Sequence, residues 1–228
     1  WLADKRTMSK ITVHTHPFHY IVVEGLYNDA EHEDILNEML NFESKGLFLN
    51  PTESKSAKDD DGNDLKQNKA TFMDAIFNNR DYSSILTKNR KLFDVLEDKK
   101  MKESWFFDDA VYDEDTTLVS YYENSDYYEP HKDKAVVTVL SYFFKEPQSF
   151  KGGDITFTDF NLTFKVRNGL TIIFPSNIKH EVSMVNMDKK YQGKQMGRFC
   201  MTQFLLCGVN DRTWNLIRGF GKQIYPTS

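Results

Sequence analysis

The chain has 228 residues, a formal net charge of −5 and a sequence pI near 5.7, which argues against general nucleic-acid binding as its main activity. Hydrophobic residues make up 39% and aromatic residues 14% of the sequence, so the chain can build a core and is not broadly disordered. No apolar run is long enough to span a bilayer. The two cysteines, Cys200 and Cys207, exclude a disulfide scaffold and favour a reducing, cytoplasmic location.

The N-terminal part of the chain predicts a strand followed by a capped helix. We interpret residues 1–9 as a leader or remnant, and the apolar stretch FHYIVVEGL that begins at Phe18 as a strand. Asn28 is a favourable N-cap residue, and Glu31 three positions later completes a capping box. Because large apolar residues then follow at helical spacing, the sequence predicts an amphipathic helix over roughly residues 29–43.

A long polar segment separates this helix from a second one. Residues 51–70 contain Leu65 as their only large apolar residue, so we expect a surface loop that is mobile without substrate. Apolar residues at helical spacing then predict a second helix over roughly residues 82–100. A polar link follows, up to about Glu114.

After Thr116 the composition changes to short β-rich runs separated by turn signals. Seven such runs within about ninety residues indicate a sandwich or jelly roll closed on itself. The runs are TTLVSYY, AVVTVLSYFF, DITF, LTFKV, LTIIF, HEVSMV and RFCMTQFLL. The sequence therefore predicts a mainly β, α+β architecture. A buttress of strand and helices in residues 1–115 is expected to pack on a jelly-roll core in residues 116–228 and to form one folded unit with it.

Among six histidines, His131 and His180 are the candidates for chemistry. His131 and Asp133 stand two residues apart at the entry to an apolar strand, where alternation turns both side chains to one face. His180 follows a turn at the start of another strand. Two imidazoles and one carboxylate form the facial triad that holds non-haem Fe(II) with positions left open. The N-terminal histidines in HTHPFH lack a paired carboxylate, so an ordinary strand edge is the better interpretation there.

The last β-rich run predicts an anion site. In GRFCMTQFLL, alternation places Arg198, Cys200 and Thr202 on one face. An arginine that points into a sandwich needs an anion, because a buried unpaired charge is costly. A planar guanidinium binds a carboxylate through paired hydrogen bonds, and Thr202 can add another. The triad and the arginine together predict a metal and a dicarboxylate in one pocket.

Residues from about 116 to 207 resemble the 2-oxoglutarate- and Fe(II)-dependent dioxygenases, in particular their prolyl 4-hydroxylase-like branch. An ordered set of motifs carries the resemblance: Tyr122, Tyr128-Glu129-Pro130-His131-Lys132-Asp133, Tyr142, Gly152-Gly153, Phe174-Pro175-Ser176, His180 and Arg198. The resemblance implies a double-stranded β-helix flanked by helices. It also implies an enzyme that hydroxylates a substrate C–H bond and releases succinate and CO2.

The resemblance also implies a role for individual residues. By it, His131, Asp133 and His180 bind Fe(II) and are the catalytic residues, and Tyr128 lies on the substrate side. Four side chains are expected to contact 2-oxoglutarate: Tyr122, Tyr142, Arg198 and Thr202. The family further implies O2 as a substrate, ascorbate as the reductant and, for this branch, a peptidyl proline as the group that is hydroxylated.

One departure from the family concerns the 2-oxoglutarate anchor. The interval between the distal histidine and Arg198 is about twice the usual length, so residues 186–196 look inserted. Lys189 or Lys190 stands at the usual interval and is the alternative anchor. We expect Arg198 to be the anchor, because the strand pattern follows it directly. We also expect the insertion, like residues 51–70, to be mobile and to border the mouth of the site.

Other departures leave the substrate open. Phe143-Phe144 replaces the usual Leu-Asn, and Phe204 stands where many relatives have tryptophan. A free amino acid or another protein side chain is therefore an alternative substrate. A nucleic-acid demethylase would carry a second arginine at the position of Phe204, and a non-catalytic jelly-roll module would not need this set of polar residues. We thus expect a peptide or protein substrate, with neither nucleic acid nor membrane as partner. Asp133 excludes a related halogenase, which lacks that carboxylate.

Overall fold

The computed structural model of the chain describes residues 9–207. Residues 1–8, which we interpret as part of a leader or remnant, lie outside the described residues. In chain order the strands are β1 (Lys10–His14), β2 (Tyr20–Glu24), β3 (Lys69–Phe72), β4 (Glu114–Tyr122), β5 (Tyr128–His131), β6 (Val137–Phe143), β7 (Phe150–Lys151), β8 (Ile155–Phe157), β9 (Leu162–Phe164), β10 (Leu170–Pro175), β11 (His180–Val182), β12 (Asn186–Met187) and β13 (Arg198–Leu206). The α-helices are α1 (Asp29–Ser44), α2 (Ser84–Lys88), α3 (Lys91–Leu96) and α4 (Trp105–Asp109).

Helix α1 begins where the sequence predicts it. The Asn28 side chain accepts a hydrogen bond from the main-chain N–H of Glu31, and the Glu31 carboxylate accepts one from the N–H of Asn28, both at 2.9 Å. This capping box satisfies two N–H groups that the first helical turn leaves free. No helix within residues 9–207 is long and apolar enough to cross a membrane.

The prediction of one continuous helix over residues 82–100 is wrong. The chain forms two short helices there, α2 and α3, which meet at Asn89 and Arg90. The buried Asn89 side chain donates a hydrogen bond to the Thr117 hydroxyl at 2.9 Å. Arg90 pairs with Asp115 at 2.6 Å. These long-range contacts outweigh the local helical preference, because propensity is a weak determinant beside tertiary packing.

All seven predicted β-rich runs form strands, and their arrangement confirms the predicted jelly-roll class. A seven-stranded sheet has the order β1-β2-β10-β6-β13-β4-β3, and a four-stranded sheet has the order β5-β11-β8-β9. Every pairing within these sheets is antiparallel. The large sheet takes β1, β2 and β3 from the N-terminal part of the chain, so both predicted segments contribute to it.

Two clusters of buried side chains place the large sheet between helices and the smaller sheet. One cluster joins α1, α2 and α3 to one face of the large sheet, through residues such as Ile35, Leu86 and Val139. The other fills the space between the two sheets, through residues such as Phe157 and Ile172. Burial of these apolar side chains is the main stabilising term. The candidate site lies at one end of the second cluster, where the two sheets open.

Candidate active site

His131 and His180 meet across the smaller sheet. His131 ends β5 and His180 begins β11, and the two residues are directly paired in the antiparallel ladder. Asp133 lies beyond the end of β5, with its Oδ1 3.7 Å from His131 Nε2 and its Oδ2 3.5 Å from His180 Nε2. One potential ligand atom from each residue lies within 4.8 Å of the others, a grouping found once among residues 9–207.

Main-chain carbonyls fix the orientation of both imidazoles. His131 Nδ1 lies 2.7 Å from the carbonyl oxygen of Glu129, and His180 Nδ1 lies 2.9 Å from that of Ile178. A carbonyl can only accept, so Nδ1 carries the proton in each ring and Nε2 keeps its lone pair. The pKa of His131 is lowered to about 3, mainly by burial and in smaller part by the neighbouring charges of His180 and Lys66. A neutral imidazole with a free Nε2 is the form that binds a divalent metal.

Asp133 is held by a residue of β6 and by one in the turn after β10. Its main-chain N–H donates to the carbonyl of Ser176 at 3.0 Å, and the Thr138 hydroxyl donates to its Oδ2 at 2.8 Å. The hydroxyls of Thr138 and Ser176 lie 2.8 Å apart. Burial raises the pKa of Asp133, while His180 and the Thr138 hydrogen bond oppose this rise. The sequence pairs His131 with Asp133 by strand alternation, but β5 ends at His131 and these contacts place Asp133 instead.

Arg198 is buried at the start of β13. Its side chain is 1% exposed, and the guanidinium carbon lies 4.5 Å from the ring centre of Tyr122 and 4.6 Å from that of Tyr142. Its Nε and Nη1, like the Tyr142 hydroxyl, are buried without a hydrogen-bond partner among the described residues. Such groups are costly to bury unless an anion completes them. The cation and the phenol therefore form a preformed site for a carboxylate.

Glycine at position 153 is required by the close approach of Arg198. A Cβ atom at Gly153 would lie 2.9 Å from Arg198 Cδ, and the residue has a φ of +72°. Both the contact and the backbone conformation therefore favour glycine.

The two tyrosines next to Arg198 are protonated. Burial raises the pKa values of Tyr122 and Tyr142, so both phenols can donate hydrogen bonds.

The triad and Arg198 open into one cavity of about 910 Å³. Alternate residues of β13 line it, as the sequence pattern predicts: Arg198, Cys200, Thr202, Phe204 and Leu206. Their partners in the neighbouring strand β4 line the same side of the cavity: Thr116, Leu118, Ser120 and Tyr122. Tyr142 is not part of this wall and instead packs against the guanidinium of Arg198. The size is that of a pocket for a small molecule together with a segment of a larger one.

The inserted segment, residues 186–196, lies away from the cavity. No residue of 186–196 lines the cavity, so the expectation that this segment borders the mouth of the site is wrong. Its Gln195 side chain donates to the carbonyl of Leu40 in α1 at 2.9 Å, and Lys189 and Lys190 are exposed. Contacts with α1, with the segment after β4 and with β7 thus place the insertion away from the wall of the cavity that contains Arg198.

Residues 51–70, in contrast, cover the cavity from the side of β5. The Tyr128 ring stacks on the His131 ring with 3.6 Å between ring centres, and the Tyr128 hydroxyl accepts a hydrogen bond from the main-chain N–H of Ala57 at 3.0 Å. Burial raises the pKa of Tyr128 to about 12. Tyr128 therefore connects a potential metal ligand to the loop.

Sequence reasoning missed Lys66 as a residue of the site. It lies in the polar segment 51–70, yet its side chain is 2% exposed and lines the cavity. Burial lowers its pKa to about 8. Residues 65–68 pair with β5 and alternate between exposed and buried positions. The sequence gives no sign of this, because the segment contains a single large apolar residue.

Comparison with known proteins agrees with this geometry. Residues 117–205 match the family model of the 2OG-Fe(II) oxygenase superfamily. This range extends from β4 to β13 and contains the triad, Arg198 and Thr202. No curated protein matches the sequence.

Solved structures show the same fold at low sequence identity. A prolyl-4-hydroxylase from Pseudomonas putida aligns with a TM-score of 0.54 and 11% identity, over 83% of this chain and 92% of the other. The viral collagen prolyl hydroxylase of Paramecium bursaria Chlorella virus-1, in complex with 2-oxoglutarate, aligns with a TM-score of 0.52 and 15% identity, over 83% of this chain and 96% of the other. Residues 117–205 therefore match a 2OG-Fe(II) oxygenase domain, in keeping with a 2-oxoglutarate-dependent dioxygenase, and the chain has a fold like that of the prolyl 4-hydroxylases.

Proposed function

We propose that this dioxygenase hydroxylates a peptidyl proline, with His131, Asp133 and His180 as the ligands of Fe(II). In the proposed reaction, proline, 2-oxoglutarate and O2 give hydroxyproline, succinate and CO2, and ascorbate serves as the reductant. The observation that carries the proposal is the position of the triad and the unpartnered Arg198 in one cavity. Fe(II) and 2-oxoglutarate, when bound, supply the activation of O2.

The residues present suit the metal that the family uses. Two imidazoles with free Nε2 atoms and one carboxylate are the donor set of a non-haem iron site. The carbonyls of Glu129 and Ile178 hold the rings, and the Thr138 hydroxyl holds the carboxylate. These partners fix the ligands before metal binds, which limits the reorganisation that binding requires. We therefore assign the catalytic role to the triad.

The residues around Arg198 suit the distal carboxylate of 2-oxoglutarate. The guanidinium can donate from Nε and Nη1, which have no partner among the described residues. We propose that the carboxylate receives further hydrogen bonds from three side chains, those of Tyr122, Tyr142 and Thr202. Because Arg198 is held between two aromatic rings, little side-chain entropy is lost when the carboxylate binds.

The shape of the cavity supports a peptide rather than a free amino acid. A volume of about 910 Å³ is near the upper end for ligand pockets, which leaves space beside 2-oxoglutarate for an extended segment. Tyr128 and Phe204 both line the cavity. We propose Tyr128 as a substrate contact, since its ring already covers His131.

We further propose that residues 1–115 act as a buttress for a catalytic core in residues 116–228, within one folded unit. Support comes from α1 and α2, which bury Ile35, Met39 and Leu86 against the large sheet. The sheet in turn carries β13 and therefore Arg198. Free Cys200 and Cys207 suit a reducing compartment, in keeping with the cytoplasmic location that we propose.

The proposed reaction is tested by mass spectrometry and succinate release. We expect the enzyme, supplied with Fe(II), 2-oxoglutarate and ascorbate, to add the mass of one oxygen atom to proline in proline-rich peptides and to release one succinate for each. Matched peptides with alanine in place of proline serve as the control. Equal oxygen gain on the alanine peptides would exclude proline as the acceptor. Modification of free amino acids or methylated oligonucleotides alone would replace the peptide with that substrate class.

Substrate-free enzyme is expected to be mobile in two segments, residues 51–70 and 186–196. Both are polar, and exposed residues predominate in the first. In hydrogen–deuterium exchange, their amides should exchange faster than those of the fully buried strand β6. Slower exchange is expected only at amides that donate to other segments, such as those of Ala57 and Gln67 in the first segment and Met187 in the second. Protection of both segments equal to that of β6 would contradict this expectation.

A further inference from the structure

A buried lysine stands in the wall of the cavity and the chemistry described above does not use it. Lys66 is 2% exposed. Its Nζ donates a hydrogen bond to the main-chain carbonyl of Ser54 at 3.1 Å, and it forms no ion pair with any residue between 9 and 207. An ammonium group has three N–H donors, so one carbonyl leaves it short of acceptors, and the charge of Asp64 attracts it without forming an ion pair.

Pairing with β5 fixes the position of this lysine. The carbonyl of Leu65 accepts from the N–H of Glu129 at 2.9 Å, and the N–H of Gln67 donates to the carbonyl of Tyr127 at 3.0 Å. Lys66 is thereby opposite Tyr128 in an antiparallel bridge. Since Tyr128 stacks on His131, the lysine is one residue removed from the potential metal ligands.

Asn68 is the second member of the same buried face. Alternation along the extended segment leaves Gln67 and Lys69 exposed and turns Lys66 and Asn68 into the cavity wall. The Asn68 amide donates to the carbonyl of Lys69 at 3.2 Å, but its Oδ1 is buried without a hydrogen-bond partner in the described part of the chain. Lys66 and Asn68 thus place on one cavity wall a cation and, two residues along the chain, an acceptor that has no partner among residues 9–207.

The cavity wall as a whole is positively charged, like Lys66 itself. Asp133 is the only acidic residue in the described wall, whereas five lysines line it together with Arg198: Lys55, Lys58, Lys66, Lys132 and Lys134. This concentration contrasts with the net charge of −5 of the whole chain. A cleft lined by one sign of charge attracts ligands of the opposite sign. Four of these lysines are exposed and Lys66 is buried, so Lys66 is the one placed for a specific contact.

We propose that Lys66 and Asn68 form a subsite that selects acidic peptides. Lys66 pairs with the carboxylate of an Asp or Glu side chain near the residue that is hydroxylated, and Asn68 Oδ1 accepts a hydrogen bond from a main-chain N–H of the same peptide. The subsite rests on the proposed function, in which the substrate is a peptide. It extends that function by naming the chemistry that distinguishes one peptide from another.

Two features favour a peptide over nucleic acid at this subsite. Phosphate groups carry acceptors and no donors, so a nucleic-acid backbone would leave Asn68 Oδ1 without a partner. A peptide supplies an anion and an N–H together. Lys66 makes one side-chain hydrogen bond among residues 9–207, to the carbonyl of Ser54, so further N–H donors of its ammonium group can reach a bound carboxylate.

The test compares two labelled, blocked peptides of equal length, one of Glu-Pro-Gly repeats and one of Gln-Pro-Gly repeats. Binding to enzyme loaded with Mn(II) and 2-oxoglutarate is measured by fluorescence anisotropy. Lys66→Met removes the charge and keeps most of the aliphatic chain, Lys66→Arg keeps the charge, and Lys69→Met changes an exposed lysine of the same segment. A single-stranded DNA oligonucleotide is the third probe.

We expect wild-type enzyme to bind the Glu peptide on the order of tenfold more tightly than the Gln peptide. Lys66→Met should abolish this ratio, while Lys66→Arg should retain much of it and Lys69→Met all of it. A lysine that only ties down the loop would weaken both peptides equally, so an unchanged ratio in Lys66→Met overturns the proposal. No measurable binding of the Glu peptide, or tighter Lys66-dependent binding of the oligonucleotide, overturns it as well.

The same samples separate this subsite from the proposed reaction. If the Glu peptide binds with the expected dependence on Lys66 but gains no oxygen, the subsite stands and proline is not the acceptor. If both peptides are hydroxylated with equal efficiency, proline is the acceptor and the subsite is refuted. A change in 2-oxoglutarate affinity in Lys66→Met, with the peptide ratio unchanged, would place the lysine at the cosubstrate and refute the subsite too.

Discussion

Asp133→Ala is expected to abolish succinate release and to leave the fold intact, and His131→Ala should do the same. Each substitution removes one of three ligand atoms that lie within 4.8 Å of one another, so the metal loses a third of its protein ligands. In the metal-free enzyme, Asp133 is a carboxylate whose pKa burial raises, which means that its ionised form is not strongly stabilised there. Its removal should therefore cost little stability without metal.

Thermal unfolding with and without Mn(II) separates loss of metal from loss of fold. Wild-type enzyme should unfold at a higher temperature when Mn(II) is present, because a ligand of the folded state stabilises it by mass action. Asp133→Ala should keep the metal-free unfolding temperature and lose the increase. Asp159→Ala changes an exposed carboxylate and is the matched control, expected to keep both. Full turnover in Asp133→Ala or in His131→Ala would refute the assignment of the triad.

Arg198→Ala is expected to reduce the affinity for 2-oxoglutarate by more than a hundredfold. The guanidinium is 1% exposed and is enclosed by two aromatic rings, so water cannot replace it as a partner for a buried carboxylate. Leaving such a charge without its partner costs about 3–5 kcal/mol, which corresponds to a factor above one hundred. Isothermal titration calorimetry of 2-oxoglutarate into the Mn(II)-loaded enzyme measures the effect.

The double variant Lys189→Ala, Lys190→Ala is the matched comparison, since these lysines stand at the interval usual for the anchor. Both are exposed and neither lines the cavity, so we expect wild-type affinity. Arg198→Lys keeps a cation and should fall between wild type and Arg198→Ala. If the double variant loses affinity and Arg198→Ala does not, the insertion supplies the anchor, and the assignment of Arg198 is wrong.

Local patterns in the sequence determined the parts of this protein that depend on neighbouring residues. The capping box of Asn28 and Glu31 defined the start of α1, and period-two alternation identified the face of β13 that carries Arg198 and Thr202. These features follow from backbone geometry over a few residues, so they can be read directly from the order of side chains. The seven β-rich runs could be predicted for the same reason, because each is recognised from a few neighbouring residues.

Only the tertiary structure decided which distant residues meet. The pairing of β5 with β11 brings His131 opposite His180, and Ser176 with Thr138 places Asp133 after its strand has ended. The sequence suggested this triad through its residue types and a family resemblance, but its geometry depends on register between strands. Register is a long-range property, set by packing of whole faces rather than by any local motif.

The same reason explains the residues that sequence reasoning misplaced or missed. Residues 186–196 look like a loop near the site, yet none of them lines the cavity, and Gln195 donates a hydrogen bond to α1. Lys66 belongs to a polar segment with no strand signal, and pairing with β5 alone buries it in the cavity wall. The sequence by itself thus determined the chemistry available to this protein. The tertiary structure decided which polar groups are enclosed without partners, because burial depends on contacts between segments far apart in the chain.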